Sequence, residues 1–75
     1  MSSGMSRFDD LVRRGIRIRR KRLGMSQDIL AKRIGRDQLF ISRLESGSRR
    51  LLLQDALDIA AALQEPLSLE EIGEV

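Results

Sequence analysis

The sequence predicts an all-α domain built from five helices. Three observations carry that prediction. Apolar residues recur at steps of three and four, and no stretch alternates polar with apolar as a strand does. Gly24, Gly35, Gly47 and Pro66 break the chain into helix-length pieces. Seventy-five residues suffice for one domain with a small core.

The first helix is expected from about Arg7 to Arg22. Ser6 would cap it, with Asp9 and Asp10 in its first turn. Its inward face would be Phe8, Leu11, Val12 and Ile16. Residues 1–5 read as a disordered or artificial extension, which leaves 6–75 as a single domain. A second helix, Gln27–Arg33, follows a Ser26 cap, and Gly35 supplies a turn. Asp37 caps a third helix, Gln38–Ser46, which Gly47 ends before the basic loop Ser48-Arg49-Arg50. The fourth helix runs from near Leu52 to near Gln64, with Leu53, Ala56, Leu57, Ala60 and Leu63 facing inward. Beyond Pro66, Ser68-Leu69-Glu70-Glu71 reads as a capping box that opens a short fifth helix.

Composition narrows the function. Without His, Cys or Tyr the chain lacks the commonest general base and most nucleophile–base pairs. No cluster of metal ligands is visible, so neither an enzyme nor a metal or other cofactor is expected. No apolar run spans a bilayer and the N-terminus does not resemble a secretory signal, which suits a cytoplasmic, nucleoid-associated protein with no membrane partner. Charge is divided along the chain. Residues 1–50 hold every Lys and Arg for a net +9, and residues 51–75 hold six acids and no base. One end attracts polyanions and the other repels them. Arginine outnumbers lysine twelve to two, which favours phosphate contact.

The second and third helices meet at one glycine, and Ala31 puts a small side chain mid-way along the second. That is the sequence pattern of a helix-turn-helix. Leu30, Ile34, Ile41 and Leu44 would hold the two helices together. With Ile41 and Leu44 inward, Gln38, Leu39, Ser42 and Arg43 turn outward on a face able to enter a major groove. Gln38 suits an adenine edge, Leu39 a thymine methyl, and Arg43 a guanine or a phosphate. Phe40 reads as packing, because two Phe in the whole chain are too few for a base-stacking platform.

Three blocks resemble the phage-repressor (Cro/C1, XRE) helix-turn-helix family: Ser26-Gln27…Leu30-Ala31…Gly35, Ile41-Ser42-Arg43-Leu44-Glu45-x-Gly47, and Ile59-Ala60-x-x-Leu63. The resemblance covers roughly residues 12–72. It implies a five-helix domain that binds operator DNA as a two-fold dimer. It puts Gln27 near a phosphate and beside Gln38, and sets Ser48, Arg49 and Arg50 along the DNA backbone. It also implies an internal, structural ion pair between Arg20 and Glu45. Three positions depart from the pattern. Arg36 and Arg19 stand where apolar residues are usual, and Leu51-Leu52 replaces the frequent Pro-Ser. Arg36 would snorkel or reach a phosphate.

The expected function is therefore a sequence-specific transcriptional regulator, a repressor or autoregulator, which binds a palindromic double-stranded operator through its third helix. Gln38, Leu39, Ser42 and Arg43 would contact bases; Gln27, Arg36, Ser48, Arg49 and Arg50 would contact phosphates. Leu67, Leu69, Ile72 and Val75 would either pack on the fourth helix or form the homodimer interface. An alternative from another class is an antitoxin-type module that binds its own operator and also holds a toxin through its C-terminal half or Leu51–Leu53.

Overall fold

The computed structural model describes residues 4–73, with side chains from Arg7 onward. Among them only helices and their connections occur: α1 (Gly4–Arg22), α2 (Gln27–Arg33), α3 (Gln38–Ser46), α4 (Leu53–Ala62) and α5 (Leu69–Ile72). The caps that punctuate the sequence are formed. The Ser26 hydroxyl accepts from Ile29 N at 3.1 Å, and an Asp37 carboxylate oxygen accepts from Phe40 N at 3.0 Å. Such caps stabilise a helix by about 1 kcal/mol. Gly35 takes the turn at φ +72° and Gly47 ends α3 at φ +89°, a left-handed geometry that costs glycine little. Ser68 and Glu71 form a reciprocal capping box at α5.

Helix ends differ from expectation at two places. α1 starts at Gly4, so Ser6 lies inside the helix and Asp9 and Asp10 fall beyond its first turn. α4 starts after Leu52, whose side chain has no acceptor to offer the helix end, and stops at Ala62.

The core lies where α2 and α3 cross, with α1 and α4 closing it. Ile29, Leu30, Ala31, Phe40, Ile41 and Leu44 are buried from the helix pair, joined by Ile16, Met25, Ile59 and Leu63. Ala31 is fully enclosed, as a close crossing requires, while Ile34 at the α2 end is only half-buried.

Two inward faces are corrected. Phe8 and Leu11 are exposed; Ile16 is buried and Val12 packs at the edge of the core, as expected, and Arg20 takes the place beside them. On α4, Leu53 is 76 % exposed and Leu57 and Ala60 also face solvent; Asp55, Ile59 and Leu63 point inward. The physical reason is the same twice. Each helix puts a charged residue into its buried stripe, so a reading by apolarity rotates it toward the greasier neighbouring stripe. Both buried charges have a counter-ion. Arg20 pairs with Glu45 at 2.7 Å, and Asp55 lies 3.6 Å from Arg36.

Candidate nucleic-acid interface

The outer face of α3 carries Gln38, Leu39 and Arg43, all exposed, with Ser42 half-buried beside them. Their inward neighbours Phe40, Ile41 and Leu44 fix this rotation of the helix. Ser26 and Asp37 hold the starts of α2 and α3, so Gln27 and Gln38 each stand at the first position of a capped helix.

These two glutamines end a hydrogen-bonded chain that begins in the core. Arg20 Nη1 donates to Met25 O at 2.8 Å, while its Nε and Nη2 reach the two Glu45 oxygens at 2.7 and 2.9 Å. Glu45 Oε1 also accepts from Gln27 Nε2 at 3.1 Å, and Gln27 Oε1 accepts from Gln38 Nε2 at 3.0 Å. A paired, doubly hydrogen-bonded ion is an orienting device more than a source of stability. Here it orients Gln27, which orients Gln38. The chain uses one N–H of the Gln38 amide. The other N–H and the carbonyl oxygen remain, which is the donor and acceptor set that an adenine edge takes.

On the other side of α3, Phe40 is buried between two cations. The Arg36 guanidinium lies 4.2 Å and the Arg49 guanidinium 4.5 Å from its ring centroid. This settles Phe40 as packing and makes the two arginines its lid. Arg36 is drawn further inward by Asp55. Arg49 is half-buried, and its Nε has no hydrogen-bond partner among the described residues. Together with Arg43, they line a cleft of about 440 Å³ between the turn, α3 and the basic loop. Three guanidinium groups around one opening suit an anionic oxygen. Ser48 and Arg50 are exposed. The loop is held by Arg13, whose Nη1 donates to both Leu44 O and Arg49 O at 2.8 Å.

Several residues of this surface escaped the sequence reading. Arg13, counted only in the net charge of residues 1–50, ties α1 to the end of α3. Arg17 and Lys21 share a groove with Gln27, Ser42 and Ser46, which picks them out as the part of the α1 charge nearest the glutamine face. Arg19 lies against α4, with its Nε 3.3 Å from Leu63 O. No local pattern signals partners 31 to 44 residues away.

The C-terminal end is held by a second arginine. Arg33 grips Glu71 through Nε (2.8 Å) and Nη2, and donates to Ala62 O, Glu65 O and Pro66 O at 2.7–2.8 Å. With these contacts and the capping box, Glu71 is held down to a pKa of about 2, principally by the Arg33 hydrogen bonds. Leu67 packs against the core, whereas Leu69 is 88 % exposed and Ile72 is exposed beside it. Val75 lies outside the described residues.

Among the described residues no group of three His, Cys, Asp or Glu could hold a metal ion, and no helix is long and apolar enough to cross a membrane. A profile of the helix-turn-helix family matches residues 16–69. No curated protein and no solved structure gave a match. The matched span contains the Arg20–Glu45–Gln27–Gln38 chain, both capped helices and the basic loop. The chain belongs to the Cro/C1-type (XRE) helix-turn-helix family of DNA-binding proteins.

Proposed function

We propose that this protein is a transcriptional regulator, a repressor or autoregulator, which reads a palindromic operator as a dimer with α3 in the major groove. The carrying observation is the exposed Gln38 amide, fixed through Gln27 and Glu45 to a buried arginine. A freely rotating surface glutamine would lose more entropy on pairing with a base than one held in place. In this reading Gln38, Leu39, Ser42 and Arg43 contact base edges. Gln27, Arg36, Ser48, Arg49 and Arg50 contact phosphates, with Arg36 and Arg49 doing so from their seats on Phe40. Leu69 and Ile72, exposed at the acidic end, join with Leu67 and Val75 to pair two copies. That end carries no base, so it suits a contact turned away from DNA.

Selection of binding sites from random duplex DNA at moderate salt tests this reading. An enriched palindrome with half-sites about one helical turn, or roughly 34 Å, apart is expected. Weak, salt-sensitive binding without an enriched sequence would overturn it. Leu69→Arg should abolish the palindrome and leave single half-site binding; an unchanged palindrome removes the C-terminal contact from the proposal.

A further inference from the structure

The misread faces of α1 and α4 belong together. On α1, Phe8, Leu11, Gly15 and Ile18 recur at steps of three, four and three, the spacing of a helix-packing seam. The three large side chains are all exposed. On α4, Leu53, Leu57 and Ala60 form a second exposed stripe. The two helices share a groove of about 270 Å³, lined mainly by apolar residues such as Val12, Gly15, Ala56 and Ala60, with Arg19 and Gln64 as its polar members. A methyl group added at Gly15 would touch nothing within 4 Å, so packing inside one chain does not call for this helix-weakening glycine. A continuous apolar face of this kind on a small domain marks an interaction site.

Charge identifies the occupant. Beyond the α1 seam, on the side away from the core, stand Arg7 and Arg14, exposed and without an ion pair among the described residues. Beyond the α4 stripe stand Gln54 and Asp58, joined by a 3.0 Å hydrogen bond. Glu65 is exposed past the helix end. Two copies related by a two-fold axis along the groove place α1 of each on α4 of the other. Seam then meets stripe twice, and a basic flank meets an acidic flank twice. Such a contact is self-complementary and closed. Pairing α1 with α1 would instead set arginine against arginine.

We infer that a second copy of this chain docks on the α1–α4 face, with the Phe8–Ile18 seam of one copy on the Leu53–Ala60 stripe of its partner. On the α1 wheel Arg17, which shares a groove with the α3 residues Ser42 and Ser46, lies roughly 140° round from the centre of this seam, so docking leaves the α3 face open. A pair joined in this way holds two reading faces turned apart and can bridge two DNA segments. The pairing does not depend on the C-terminal contact proposed above.

Because the chain has no cysteine, single thiols can be placed at will. Leu11→Cys and Leu57→Cys proteins are prepared separately, checked for helicity by circular dichroism, mixed and oxidised. Covalent dimer containing one of each is expected in several-fold excess over that formed by either variant alone. The excess should disappear when both proteins also carry Gly15→Leu, which fills the groove from an exposed position. An equal yield from Leu11→Cys alone would mean that α1 faces α1. A yield unaffected by Gly15→Leu, or no mixed dimer at the concentration of the assay, would likewise overturn the inference. Operator binding by Leu57→Arg separates the two contacts. It should persist if only the α1–α4 face is lost, and its loss would assign operator pairing to this face.

Discussion

Two arginine–glutamate clasps hold this molecule, and they differ in depth. Arg20–Glu45 joins α1 to α3, with side chains 8 % and 4 % exposed; Arg33–Glu71 joins α2 to α5, with 15 % and 21 % exposed. Both are bidentate, and both also satisfy backbone carbonyls. Burial separates their roles. The deep clasp cannot lose one member without stranding a charge in the core, and it orients the glutamine pair. The shallow clasp can open into water, and it holds only the acidic end in place. A buried pair of this kind therefore governs how the outer face of α3 is arranged, and a half-exposed one governs a local attachment.

The largest expected effect comes from breaking the deep clasp on one side. Glu45→Ala leaves Arg20 unpaired in the core and should cost about 3–5 kcal/mol of stability. That is a large fraction of the roughly 5–15 kcal/mol typical of a whole domain. Chemical denaturation followed by circular dichroism measures it. A loss below about 1 kcal/mol would mean that the pair behaves like a surface contact. Replacing both members, Arg20→Met with Glu45→Met, should recover most of the stability, because no charge is then buried. The double variant should still read its operator poorly, since Gln27 has lost its anchor. Good stability with poor reading is the signature that separates orientation from strength.

Gln38→Ala comes next and touches the same chain at its exposed end. It should leave the fold intact and cost about 1–3 kcal/mol at the selected operator, with little change on unrelated DNA. Arg50→Ala, from an exposed and unclasped cation, should weaken all sequences alike and reduce the salt slope by about one. Titration against cognate and scrambled duplexes at several salt concentrations distinguishes them. If Gln38→Ala behaves like Arg50→Ala, then the ordered glutamine chain confers no specificity.

The clasps also mark the boundary of what the sequence could tell. α2, the turn and α3 were legible because their signals are local: Ser26, Gly35, Asp37 and Gly47 act within one turn of where they stand. The outward set on α3 followed from Ile41 and Leu44 by helical geometry alone. The rotation of α1 and α4 was not legible from apolarity, because Arg20 and Asp55 occupy buried positions that apolarity assigns to leucines; the internal Arg20–Glu45 pair was expected from the family resemblance alone, and it is formed. Arg13 and Arg33 escaped for a related reason. Both of Arg13's acceptors are backbone carbonyls, as are three of Arg33's beside Glu71, and carbonyls leave no trace in a sequence. The exposed stripes that misled the reading of both helices were still real apolar faces, which the single chain leaves uncovered.

The smallest effect belongs to the shallow clasp and appears as a pH dependence. Glu71 titrates at about 2 in the folded chain against an ordinary 4.5. A lowered folded value means that the unfolded or undocked segment binds the proton more readily. The attachment of α5 is then fully favoured above pH 4.5 and is lost as pH falls through 2. Between those values α5 should loosen while α2 and α3 keep their structure, since the backbone and capping hydrogen bonds of those helices do not involve Glu71. Amide exchange in residues 67–73 should therefore accelerate across this window relative to residues 29–44, after correction for the intrinsic pH dependence of exchange. Glu71→Gln should show the loosened behaviour already at neutral pH, because an amide neither carries charge to Arg33 nor accepts at both positions. Parallel acceleration in both segments would show that the two clasps belong to one cooperative unit, and the contrast between a deep governor and a shallow attachment would fall.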